Sequence, residues 1–132
     1  IARKFTLSSD KEVAERYISE KEKHTLRKNP EYPGGEAAAE KFLKENMIYP
    51  PNYRWTRPKV TVTVAFTVDE TGQIEAPEII YSEDSLFNEE ALRLVKMMPK
   101  WLPAKSSKGV YSAGNGITIE FLENDAQKQK NR

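Results

Sequence analysis

Pro30 to Asn46, PEYPGGEAAAEKFLKEN, sets two glycines after a proline and directly before an alanine-rich helical pattern. A glycine-rich turn that opens a helix can offer free N–H groups and the positive end of the helix dipole to an anion, so phosphate binding is the first chemistry to weigh. The context argues against it: no Gly-Lys-Ser/Thr ending follows, and no apolar strand leads in. The turn reads instead as a redirection of the chain that starts the helix. The other candidates thin out in the same way. His24 is the single histidine and lies in a charged stretch, so no Ser/His/Asp set can be assembled without it. Asp69/Glu70 and Glu89/Glu90 are adjacent carboxylates, but the first pair belongs to a turn and the second to the first turn of a helix. Cysteine is absent, which removes disulfides, thiolate metal sites and cysteine nucleophiles together. YRWTRPK, Tyr53 to Lys59, interleaves basic and aromatic residues as a nucleic-acid surface would. The neighbouring strand points only Thr61, Thr63, Ala65 and Thr67 outward, with no ring to stack on a base, so Trp55 reads as packed on the domain edge. The residues therefore point to no enzyme, no cofactor, no metal and no nucleic-acid partner.

The elements that must position these residues are legible from periodicity. Lys59 to Asp69, KVTVTVAFTVD, alternates without a break, with valines and Phe66 on one face and threonines on the other. DETG at Asp69–Gly72 is a hairpin turn, and QIEAPEIIYS is the return strand, with Pro77 forcing a bulge or an edge position. Glu36–Asn46 is a helix whose apolar face is Ala38, Ala39, Phe42 and Leu43, extended by Met47. A second helix follows SEDSLF, with Asn88 as its cap, Ala91, Leu92, Val95 and Met98 as its buried stripe, and Pro99 as its stop. Trp101 should anchor that helix over the sheet. Gly116–Glu123, GITIEFLE, is the last strand, with Ile117, Ile119 and Phe121 on one face.

These elements give an α+β domain: a three-stranded antiparallel sheet with two helices on one face. The continuous alternation of Val60–Val68 fits the central position, which leaves the last strand on an edge. Residues 1–29 form a charged leader, helical over about residues 10–26 and dispensable for folding. Residues 30–123 form the domain, and 124–132 a polar tail that should fray. A net charge of +1 creates no strong field. No apolar run is long enough to cross a bilayer, and the start on Ile1 reads as a fragment or a processed chain.

PEYPGGEAAAEKFLKENMIYP, VTVAFTVDETGQI, FNEEALRLVKMMPKWLP and ITIEF, in that order, resemble the C-terminal domain of TonB, in its Bacteroidetes-type form. The similarity covers roughly Pro30 to Glu123. It departs from the family pattern at several points. Val60 stands where glycine is frequent, Phe87-Asn88 replaces Leu-Asp, and Leu-Pro-Ala follows Trp101. Thr118 replaces a frequent proline, and Gly114–Gly116 interrupts the approach to the last strand.

The resemblance implies the periplasmic domain of an energy transducer whose parent chain is anchored in the inner membrane. Such a domain grips a segment of an outer-membrane receptor, while inner-membrane motor proteins act through the part that precedes it. It implies no catalytic residue and no cofactor. A TonB-like recognition domain of a membrane sensor-peptidase or lipoprotein is the alternative, and a small enzyme with an unrecognised site is the reading from another class. The partner is expected to add as a β-strand along Gly116, Ile117, Thr118, Ile119, Glu120, Phe121, Leu122 and Glu123. Affinity should be weak, on the order of micromolar. Tyr32 and Pro33 either pin the turn or lie near the partner. Oligomeric state is not legible.

Overall fold

The computed structural model describes residues 27–130. The elements run α1 (Gly35–Asn46), β1 (Lys59–Val68), β2 (Ile74–Ser82), a 3-10 turn (Ser85–Phe87), α2 (Asn88–Met97), β3 (Ala104–Ser106), β4 (Gly109–Tyr111), β5 (Ala113–Leu122) and α3 (Glu123–Lys130). The main sheet has the order β2-β1-β5, antiparallel throughout, and β3-β4 is a separate small hairpin. His24 and the expected leader helix lie outside the described residues.

The alternation in β1 becomes a clean partition. Val60, Val62, Val64, Phe66 and Val68 are buried, while Thr61, Thr63, Ala65 and Thr67 are half-buried on the other face. Ile119 and Phe121 of β5, Ala39 and Leu43 of α1 and Ala91, Leu94 and Val95 of α2 complete the core. Leu94, three residues on from Ala91, joins Ala91 and Val95 as the fully buried stripe of α2, with Leu92 and Met98 half-buried against the core. The register of β1 on β2 shifts between Ala65 and Thr67, so Ala76 and Pro77 together face Phe66; this is the bulge that Pro77 demands. Asp69 ties the turn, its carboxylate accepting from the Thr71 hydroxyl at 2.6 Å and from the amides of Thr71 and Gln73 at 2.8 and 2.9 Å. Those bonds to the charged form, led by the Thr71 hydroxyl, hold its pKa down at about 2.

Four expectations are corrected. Asn88 does not cap α2: Asp84 accepts from the Leu86 amide and opens a 3-10 turn one step earlier, while the Asn88 side-chain oxygen accepts from the Ser82 hydroxyl. The last strand begins at Ala113 rather than Gly116, because Gly114 and Gly116 still pair across from Thr67 and Ala65. Glu123 is not part of that strand; its amide donates to Pro58 O and it opens α3. The residues after Glu123 do not fray but form this third helix, where two helices were expected. Gln129 secures it: its side-chain oxygen accepts from Tyr49 N at 2.9 Å and its amide nitrogen donates to Met47 O at 2.7 Å. No periodicity in a polar tail announces such a bond.

Candidate functional site

The Pro-Gly-Gly turn is structural. Gly34 and Gly35 have φ of 90° and 84°, a region that disfavours side chains, and the Gly35 amide already donates to Tyr32 O at 2.8 Å. One carboxylate of each pair is likewise engaged, Asp69 in its turn and Glu90 on α2. Glu90 accepts from the Arg93 guanidinium at 2.6 and 2.7 Å and from the Ile48 amide at 2.6 Å, and Arg93 also donates to Asn46 O. This network clamps the end of α1 onto α2. Arg93→Ala should therefore cost about 1–3 kcal/mol in urea unfolding, since it strips the ion pair from Glu90 and a donor from the Asn46 carbonyl; an unchanged midpoint would show the clamp to be idle.

The rings of the Tyr53–Lys59 segment face inward. Tyr53 lies 4.9 Å from Trp55 and 4.8 Å from Phe87, centroid to centroid, and its hydroxyl donates to Asp84. That bond pushes the Tyr53 pKa up to about 12. Arg57 and Lys59 pair with Glu83 and Glu120. Both rings and two of the three cations are thus committed within the fold, and Arg54 is exposed. Among the described residues, no three His, Asp or Glu side chains gather as a metal site would require, and no helix is long and apolar enough to cross a membrane.

Among the described residues, both edge strands, β2 and β5, leave an outer edge open; β2 is broken by register shifts, whereas β5 is regular along its length. Among these residues β5 pairs with β1 alone. The direction of its amides follows from its ends. Glu123 N reaches Pro58 O on the β1 side, whereas Leu122 N donates away from β1, to the Tyr49 hydroxyl at 3.0 Å. Strand geometry alternates, so the amides of Glu120, Thr118 and Gly116 also point outward. The Gly116 amide agrees: it donates to Oδ1 of Asn115 at 2.7 Å, while Nδ2 of Asn115 donates to Pro30 O at 2.7 Å. Leu122 and Gly116 are thus capped within the chain, and Thr118 and Glu120 form the open window between them. Ile117, Ile119 and Phe121 turn their backbone to β1 and their side chains to the helical face.

A cleft of about 540 Å³ runs beside this edge. Asn115 to Thr118 form one wall and α1 the other, and Tyr32 and Trp101 lie between them. Tyr32 is buried, packed 6.0 Å from both Phe42 and Trp101, so it pins the turn and lines the cleft at once. Pro33 does not line it. The indole nitrogen of Trp101 is buried without a hydrogen-bond partner among the described residues. The caps Asn115 and Tyr49 carried no signal in the sequence, because their role depends on a register that only the folded sheet defines.

The family model of the Gram-negative bacterial TonB protein C-terminal matches residues 45–122, from the last turn of α1 to the end of β5. No curated protein matches the chain.

Proposed function

The chain belongs to the family of Gram-negative bacterial TonB protein C-terminal domains, and from that premise we propose that it is the periplasmic, partner-gripping end of an energy transducer. The family is one of protein-interaction domains rather than enzymes. On this reading the domain binds an extended segment of an outer-membrane receptor by strand addition at β5, in support of nutrient uptake. The parent chain is anchored in the inner membrane and coupled to motor proteins there.

The observation that carries the proposal is the open window at Thr118 and Glu120, on an edge with one neighbour among the described residues. Unpaired N–H and C=O groups on a strand edge are a template for another strand. The window is short, and its two residues offer four backbone bonds. At about 0.5–1.5 kcal/mol net each, backbone pairing supplies roughly 2–6 kcal/mol, which centres on millimolar affinity. Side-chain contacts must bring the grip to micromolar strength, and tethering both partners across one compartment strengthens it further. A weak, reversible grip suits a partner that must be pulled and released repeatedly.

Titrating N-terminal receptor peptides into isotope-labelled protein tests the reading. Amide shifts should concentrate at Gly114–Leu122 and in the flanking cleft. Shifts confined to the exposed face of α2, or to β2, would count against strand addition at this edge.

A further inference from the structure

We propose that the cleft beside β5 receives a lysine or arginine side chain from the added strand; this rests on the strand-addition reading and names the partner's chemistry. A strand laid on the outer edge of β5 sends alternate side chains to opposite faces of the sheet. One set points to solvent on the threonine face. The other points to the helical face, where the cleft lies between β5 and α1. Partner selectivity is read from that second set.

The cleft has an apolar floor and an acidic rim. Tyr32, Ala39 and Leu43 are its buried lining residues on the turn and on α1. Glu31, Glu36 and Glu40 also line it and are exposed, and among the described residues no lysine, arginine or histidine does. Among the described residues, none of these three carboxylates forms an ion pair with a cation, in contrast to Glu83, Glu90 and Glu120, which all do. A carboxylate on the partner would be repelled. A short apolar side chain would cover the floor and leave the rim unmatched. Lysine and arginine satisfy both at once, because the aliphatic stem lies along apolar surface while the charged head stays in water. The mouth is open at Gly35, where a Cβ would meet nothing within 4 Å.

The test uses acetylated, amidated peptides Thr-Val-X-Val-Thr, with X lysine, arginine, leucine or glutamate, titrated into labelled full-length chain at low and raised salt. Lysine and arginine peptides should bind about fivefold more tightly than the leucine peptide, the scale of an exposed ion pair. Raised salt should shrink that gap. In Glu31→Gln/Glu36→Gln/Glu40→Gln, which removes the whole acidic rim, the gap should close, with the leucine peptide still shifting Gly116–Glu120. Shifts at β5 with no preference for lysine, or a preference that survives in the glutamine variant, would overturn the cleft assignment and leave strand addition standing. Peptides that never shift the β5 amides would overturn both.

Discussion

Replacing Phe87 by alanine should cost the domain about 3–5 kcal/mol, the range for a large aromatic removed from a packed core. Phe87 is fully buried at the end of the 3-10 turn. Its ring lies 4.6 Å from Phe121, 4.8 Å from Tyr53 and 5.7 Å from Trp55, centroid to centroid. These four rings join the last strand, the start of α2 and the loop before β1. No single element can collapse into the void without dragging the others. A domain of this size has about 5–15 kcal/mol in total, so the variant should be close to unfolding at room temperature. Urea denaturation followed by far-UV circular dichroism measures it, and a loss below about 1 kcal/mol would show that the aromatic cluster is not the hub described.

The second large effect belongs to Gly72→Ala. Gly72 ends the β1–β2 turn with φ of 92°, and a Cβ built on it would fall 2.1 Å from the carbonyl oxygen of Trp101. The same residue accepts the Trp101 amide at 2.9 Å, so turn and tryptophan are bonded at the point where the methyl would intrude. The left-handed backbone costs an alanine about 1–2 kcal/mol, and displacing backbone adds about 1–3 more. A loss of about 3 kcal/mol or more is expected. Trp101 lines the cleft beside β5, so its displacement should weaken partner binding as well as folding. Gly35→Ala is the control: φ is 84°, but the added Cβ meets nothing within 4 Å. It should show the backbone cost alone. Equal losses in the two variants would mean that the contact with Trp101 does not matter.

The contrast between those glycines marks the boundary of what the chain's sequence reveals. Both announce a turn, yet only folded geometry distinguishes the one pressed against Trp101 from the one facing open space. Period-two alternation fixed the face of β1, its central place and hence the edge position of β5, because a half-buried strand leaves its burial pattern in residue type. Pro77 announced its bulge for the same kind of local reason. Asn88 misled because Asp84, four residues earlier, captured the capping role and let the chain enter α2 through a 3-10 turn. Gly114 and Gly116 looked like a break in the approach to β5, but β1 supplies a full row of partners across from them. Tertiary pairing overrode weak strand propensity there. In α3 a single glutamine, Gln129, reaches back to the segment after α1, a long-range bond with no periodic trace. The candidate site was legible as an edge strand. Its open window was not, since it depends on which amides face outward and on caps from Asn115 and Tyr49.

Strand addition at Thr118 and Glu120 is tested most directly by backbone N-methylation of the bound peptide. One receptor-derived peptide is prepared in two forms, methylated at odd or at even residues, and each is titrated into labelled protein beside the unmodified parent. A strand added to β5 turns alternate residues toward the edge, so one form should lose binding and the other keep it. The parent's shifts should centre on Thr118 and Glu120. Equal binding by both methylated forms, with shifts away from β5, would contradict the account.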